Sequence, residues 1–513
     1  MIRLFLALLT LWPGLAVAEP LFINRSDALP APHVYDGGWE HFVGGGVAVF
    51  DCNGDAFPDI FAAGGANPSQ LYENIIGPND WRFRDAGFDA ITGVTGAYPL
   101  DVNNDGLIDL FVLRVGSNHI YRGLGNCRFK NADNEWGFDS ADRWSTAFSA
   151  TWEAGRDWPT LAVGNYVDRA NPDGPFGACD VNELYRPSGR RYGTPEVLKP
   201  GFCALSMLFS DWSRSGHADL RISNDRHYYV VGGTEQMYRL DEGRFLGPED
   251  GWKPISIWGM GIASQDITGD LRPDIMLTSM ADQLMQLSTR TGFAPAPFTI
   301  GTYAQRPFKG DDGRPSTGWH AEFEDVDNDG FQDLFIAKGN VDQMPSNAMK
   351  DPNNLLMQQP DGTFREMGDV AGIATTNRSR GAALADFDND GRLDLVVVNR
   401  RAPMEIYQNA TPESGNWLTI TPRQDQANTF AVGGWIEVRD RAGHVQTKEL
   451  TVGGGHAGGQ AGSVHFGLGA EPIAEVRILW PDGGSSDWIT LPANDHAELW
   501  RRPFGGVHVV QAE

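Results

Sequence analysis

Residues 386–394 read DFDNDGRLD. Carboxylates occupy the first, third, fifth and ninth places, and a glycine occupies the sixth. Bare carboxylates this close repel one another, so the pattern asks for a cation. Ca²⁺ takes roughly six to eight hard oxygen ligands, and alternating acidic residues in a turn with glycine at place six can wrap it. The seventh place can add a backbone carbonyl. An EF-hand loop opens the same way, but it needs a glutamate at place twelve and a helix on either side. Here place twelve is Val397, and the flanks read GAALA and DLVVV. Those flanks predict strand, loop, strand. Taken alone, the stretch reads equally well as a solvated acidic turn.

Recurrence decides between the two readings. DVDNDGFQD (325–333) repeats all four carboxylates and the glycine. DVNNDGLID (101–109) has Asn103 at place three, and DCNGDAFPD (51–59) has Asn53 there and Ala56 at place six. DITGDLRPD (266–274) keeps Asp266, Asp270 and Asp274. DWSRSGHAD (211–219) keeps only the outer two, and WEAGRDWPT (152–160) aligns mainly through the WPTLAV that continues from it. The predicted ligands are therefore Asp51, Asn53, Asp55 and Asp59; Asp101, Asn103, Asp105 and Asp109; Asp266, Asp270 and Asp274; Asp325, Asp327, Asp329 and Asp333; and Asp386, Asp388, Asp390 and Asp394. Two of the seven loops have lost most ligands, so the expectation is about five bound Ca²⁺.

The elements that hold these loops follow from the period. First positions fall at 51, 101, 152, 211, 266, 325 and 386. Units of this size suit four-stranded propeller blades. After each loop comes an apolar run such as DIFAAG, DLFVLR or DLVVVN, then strands such as QLYENI or EIYQNA, then pieces such as GTFREMG. The predicted fold is all-β, a seven-bladed β-propeller over residues 19–410. The last unit lacks its fourth strand, and residues 20–27 supply a spare one that closes the ring and removes exposed sheet edges.

In an up-and-down blade the loops joining strands one to two and three to four share one face. All the acidic loops lie there. Cys52 and Cys127 also fall on that face, and Cys179 and Cys203 on the opposite one. Of three possible pairings, this topology selects Cys52–Cys127 and Cys179–Cys203.

Charge and leader set the setting. Lys and Arg number 41 against 67 Asp and Glu, a formal net charge of −26, which excludes nucleic acid as a partner. The N-terminus, MIRLFLALLTLWPGLAVAEP, has one arginine, a short apolar run and an Ala-Val-Ala site, so residues 1–18 read as a secretory signal. No stretch is long enough to span a bilayer. An exported protein, periplasmic or secreted, with persistent disulfides is expected.

The units GGGVAVFDCNGDAFPDIFAAG, AEFEDVDNDGFQDLFIAKG and GAALADFDNDGRLDLVVVN resemble FG-GAP/VCBS repeats, the blades of integrin-α-like propellers. Past a linker at 411–415, residues 416–502 alternate strands with glycine-rich turns and read as a small β-sandwich-like domain, followed by a tail at 503–513. The pieces NWL, VGGWIEV, HFGLG and VRILWPDG resemble an ASPIC/UnbV domain. Propeller plus this domain is the layout of the cartilage acidic protein family. That resemblance implies a secreted, calcium-binding protein with a role in adhesion or extracellular interaction. The expected ligand is a protein or a carbohydrate.

On the face opposite the acidic loops, the links into the innermost strands carry His41, Trp144, Trp258, Trp319, His320, Arg378 and Arg380. Trp can stack on sugars and Arg can read carboxylates; the same Trp residues can equally wedge between blades. HExxH, GxSxG and Walker motifs are absent. GGGHAGGQ (453–460) lacks the Lys-Ser/Thr of a phosphate loop and reads as a β-turn. The reading leans away from an enzyme. The alternative is a propeller-based polysaccharide lyase or hydrolase, its site at the channel mouth on this face.

Overall fold

The ninth residue of each loop is the first residue of a strand. Asp59, Asp109, Thr160, Asp219, Asp274, Asp333 and Asp394 open seven strands that are buried along most of their length. The computed structural model describes residues 19–78, 80–172, 177–225, 232–303, 313–502 and 506–511. The signal read at 1–18 lies outside them.

Each loop turns the chain back antiparallel from a preceding strand. These first strands are Val47–Phe50, Val94–Leu100, Arg143–Thr151, Ala204–Ser210, Gly259–Gln265, Gly318–Glu324 and Arg378–Ala385. With their third and fourth strands they make seven four-stranded antiparallel groups among the described residues, numbered here as blades one to seven. Blades two and three are further joined where Arg143 and Trp144 pair with Gly116 and Val115. First strands touch one another in chain order, and the last touches the first, closing a ring. Phe22–Asn24 pairs with Glu405–Asn409 and so supplies the outer strand of the last blade. The blades are held together by apolar side chains between adjacent sheets, for example Phe335, Leu355 and Val397.

Disulfides join Cys52 to Cys127 and Cys179 to Cys203. Among the described residues no helix is long and apolar enough to cross a membrane.

Residues 416–511 form two four-stranded sheets packed over Leu418, Ile420, Ile436, Val438, Phe466, Ile478 and Leu499. This sandwich sits on the acidic-loop face. Thr429 donates to Asp101 at 2.6 Å, Arg214 to Glu437 at 2.6 Å, and Lys448 to Glu324 at 2.5 Å.

The glycine-rich stretch read as a turn is instead a strap laid along the inside of the ring. Its backbone pairs with the first strands of five blades through Val452 with Ala150, Gly453 with Leu208, Gly455 with Ile262, Gly458 with Ala97 and Gln460 with Val49. The strap reaches blade six as well, since the His456 amide donates to His320 Nδ1 at 3.2 Å. Glycine is required on both sides of this contact. A Cβ on Gly46 or Gly96 would lie 1.8 or 1.7 Å from the Ala457 carbonyl oxygen.

Candidate metal centres

The outer carboxylates of each full loop organise backbone. The first-place aspartate accepts amide hydrogens from its own turn: Gly106 to Asp101 at 2.9 Å, Gly330 to Asp325 at 2.7 Å, Gly391 to Asp386 at 2.7 Å. The ninth-place aspartate clamps the loop to the third strand. Asp333 accepts from Val326 at 3.1 Å and from Gln358 at 2.9 Å. Asp59, Asp109, Asp274 and Asp394 do the same. Place six needs a left-handed backbone, which glycine adopts freely. Gly106, Gly330 and Gly391 have φ of 82°, 94° and 83°, and Ala56 and Leu271 are held at 67° in the equivalent turns.

The third place divides the loops. Asn53 and Asn103 each donate an amide hydrogen to the fifth-place carboxylate, Asp55 or Asp105, at 2.9 Å. Thr268 donates to Asp274 at 3.2 Å. Aspartate cannot donate. In blades six and seven, Asp327 Oδ1 and Asp388 Oδ1 are buried without a hydrogen-bond partner. Each of these residues belongs to a trio in which one carboxylate oxygen from every member lies within 4.8 Å of the others: Asp325, Asp327 and Asp333, and Asp386, Asp388 and Asp394. A third group of this kind, Cys52, Asp59 and Cys127, is a disulfide lying over a buried carboxylate.

Burial, aided by neighbouring carboxylates, pushes Asp325, Asp333 and Asp394 well above the usual carboxylate range. It raises Asp329 and Asp386 to about 7, and Asp327 and Asp390 to about 6. Ionised oxygens in such a place need a positive partner. The donor set is all oxygen and hard, which suits Ca²⁺. The two trios fit that ion through Asp325, Asp327 and Asp333 and through Asp386, Asp388 and Asp394.

Blade six is also an interdomain joint. The Gly415 amide donates to the Asp327 carbonyl at 2.9 Å, and the Gly469 amide to the Asn328 carbonyl at 2.8 Å. A Cβ on Gly467 would lie 1.9 Å from Asp325 Oδ2. His465 Nε2 and Asn328 Oδ1 are 2.6 Å apart. Sequence spacing shows the loops but not that a second domain presses on them.

The residues read at the channel mouth are placed differently from one another. Trp144 and Trp319 are fully buried in a cluster with Val43, Leu205 and Met260. Arg380 lies 4.0 Å over the Trp319 ring and donates to the carbonyls of Phe42, Ser379 and Val341. His41 is buried, and burial lowers its pKa to about 4. His320 faces the strap. Arg378 and Trp258 are half-buried. Trp144, Trp258, Trp319 and Arg380 are thus brought together in one packed cluster, and Trp319 and His320 meet the glycine-rich strap.

The FG-GAP-like repeat family matches residues 51–112 and 325–397, and the ASPIC and UnbV family matches 424–502. Cartilage acidic protein 1 of Mus musculus and of Homo sapiens are each 26 % identical over 162 residues, or 31 % of this chain. The match spans 25 % and 24 % of those relatives' own lengths. Among solved structures, BBS1N in complex with ARL6DN aligns over 77 % of this chain and 99 % of that one, at 10 % identity and a TM-score of 0.46. An Agrocybe aegerita protein whose structure describes recognition of non-reducing terminal N-acetylglucosamine aligns over 70 % and 93 %, at 15 % identity and a TM-score of 0.42.

Proposed function

We propose that this chain, an FG-GAP-repeat propeller carrying an ASPIC/UnbV domain, is an exported interaction module whose blade hairpins and interdomain joint are held by Ca²⁺. One observation carries the metal reading: Asp327, 2 % exposed, keeps an unpartnered carboxylate oxygen within a trio of buried aspartates. When bound, Ca²⁺ supplies the positive charge that lets these carboxylates stay ionised. The chain does the rest. Asp325 and Asp333 fix the loop backbone, Asp327 offers its free oxygen, and Gly415 and Gly469 seat the second domain on the same turn.

Two disulfides and the relatedness to cartilage acidic protein 1 support an extracellular or periplasmic setting. The strap along the channel favours a binding module over a channel-mouth lyase or hydrolase, because His320 and Arg380 are already engaged by protein groups. Partner contact then falls to the rim and its long loops, as loops on rigid scaffolds often serve. The partner class is a protein or a carbohydrate.

Thermal unfolding in chelator and then in about 2 mM Ca²⁺ tests the metal reading. Extracellular sites bind with Kd near 10⁻⁴–10⁻³ M, so each contributes roughly 0.4–1.4 kcal/mol at ~1 mM. A Ca²⁺-dependent rise in midpoint, reduced in Asp327→Ala and in Asp388→Ala, is expected. An unchanged midpoint in the wild-type protein overturns the reading.

A further inference from the structure

The seven blades allow one register position to be compared seven times. In each blade the second residue of the second strand pairs with a residue of the third strand; the next residue along is the position of interest. It is Glu73, Arg122, Arg186, Arg239, Leu287, Met357 and Gln408 in blades one to seven. Arginine occurs there in blades two, three and four. Two of these are the blades whose acidic loops have decayed.

Each of the three guanidinium groups reaches its own loop, and Arg186 is shared with Glu196 of the fourth strand and the Leu240 carbonyl. In blade three, Arg186 Nε donates to Glu153 Oε1 at 2.8 Å, and Thr160, at the ninth place, also bonds Glu153. Arg156, at the fifth place where five of the other loops have aspartate, lies 3.7 Å from the same carboxylate. In blade four, Arg239 reaches the ninth-place Asp219 at 3.4 and 3.5 Å. In blade two, Arg122 donates to the fifth-place Asp105 at 2.9 Å. Blades five and six have Leu287 and Met357, which carry no charge. In blade one Glu73 is held by Arg84 of the fourth strand at 2.7 and 2.5 Å. In blade seven Gln408 donates to Asp388 Oδ2 at 2.9 Å, Arg392 pairs with Asp390, and Asp388 Oδ1 stays unpartnered.

We infer that this third-strand position sets which loops take a cation. Arg186 and Arg239 have replaced the metal in blades three and four with a covalently tethered positive charge. Arg122 competes with it in blade two. The inference rests on the calcium reading above and adds a rule for which blades obey it. The physical reason is direct: in blades two and four the guanidinium occupies ligand-place carboxylate oxygens that a divalent ion would need, and in blade three, where no ligand place keeps a carboxylate, it supplies the positive charge to Glu153 at the second place.

The test is calcium titration by calorimetry on the mature protein. Arg122 is 36 % exposed, so Arg122→Gln leaves the fold intact. It is expected to tighten one class of site by about two- to five-fold, the strength of a partly exposed ion pair. Adding Asp105→Ala to it should abolish the gain. The reciprocal change, Gln408→Arg, is expected to remove one site from the wild-type count. If wild-type protein binds Ca²⁺ and Asp327→Ala weakens it, while Arg122→Gln and Gln408→Arg leave every site unchanged, the register rule is wrong and the calcium reading stands. If neither the wild-type protein nor Arg122→Gln takes up Ca²⁺, both fall.

Discussion

The Gly44 amide donates to His456 Nε2 at 3.1 Å, across 412 positions of sequence. This bond ties the strap of the second domain to the entrance of the first blade. It fixes His456 as a neutral imidazole with its proton on Nδ1, its ring tilted at 59° against Trp319 with 5.0 Å between ring centroids. The domain therefore grips the ring from inside as well as from its acidic face.

The strap depends on missing side chains. Gly46→Ala or Gly96→Ala puts a methyl group into the Ala457 carbonyl, where no flexible atom can yield. Overpacking of this sort costs about 1–3 kcal/mol. The expected outcome is a lower unfolding midpoint together with new protease cleavage within 450–461. A midpoint equal to that of the wild type would mean that the strap does not lie against these strands.

Acid should loosen the same joint. Burial lowers His456 to about 3 and His465 to about 3, against 6.5 in an unfolded chain. Below pH 6.5 the unfolded state binds protons that the folded state refuses. The stabilisation is thus complete above pH 6.5 and is lost progressively as pH falls toward 3. Each histidine contributes a slope of about 1.4 kcal/mol per pH unit within that window. Denaturant unfolding of wild type and His456→Gln between pH 7 and pH 4 reads the difference, and the variant should show the shallower dependence. Equal slopes would remove His456 from this account.

The repeat was legible because its chemistry is local. Asp59, Asp109, Asp274, Asp333 and Asp394 lie at a fixed distance from the first-place aspartate and each opens a strand, so loop spacing and strand starts coincide. The cysteine pairs followed from which face each loop occupies. The strap was not legible. GGGHAGGQ carries neither a helical nor a strand period, and its pairing partners lie hundreds of residues away. The available signal was indirect: Gly46, Gly96 and Gly261 sit at or beside the innermost strands, where a Cβ would have met a neighbouring backbone oxygen. The burial of Trp144 and Arg380 was hidden for a related reason. Spacing reads them as link residues, whereas both lie within first strands, Arg143–Thr151 and Arg378–Ala385, and spacing does not say what covers those strand starts.

Two loops carry local strain. Ala56 and Leu271 hold φ of 67° where blades two, six and seven have glycine. Left-handed backbone costs a side-chain-bearing residue roughly 1–2 kcal/mol, and glycine returns part of that gain as unfolded-state freedom. Ala56→Gly is expected to stabilise the protein by about 0.5–1 kcal/mol, measured by chemical denaturation. Destabilisation would show that the Ala56 methyl contributes packing that outweighs its strain.

The two disulfides should differ in weight. Cys52–Cys127 closes a loop of 75 residues and Cys179–Cys203 one of 24. In the chain-entropy account, stabilisation grows with the logarithm of loop length, a difference of ~1 kcal/mol in favour of the longer loop. Replacing the first pair with serine should lower the midpoint more than replacing the second. The reverse order would show that local contacts around Cys179, and not chain entropy, decide the matter.

Arg239 offers the clearest separation of a tethered charge from a bound one. Asp219 is 6 % exposed and accepts from Trp212 Nε1 at 3.0 Å as well as from Arg239. Arg239→Gln leaves that carboxylate without its counter-charge. Breaking a fully buried pair is costly, but the Arg239 side chain is 30 % exposed, so a loss of about 1–2 kcal/mol is expected. Millimolar Ca²⁺ should not restore it, because places three and five of this loop are Ser213 and Ser215 and too few carboxylates remain to hold the ion. Arg239→Lys, which keeps the charge, should recover most of the loss. Unfolding midpoints of the three proteins in chelator and in Ca²⁺ decide the point, and full rescue of Arg239→Gln by Ca²⁺ would show that the decayed loop still binds metal.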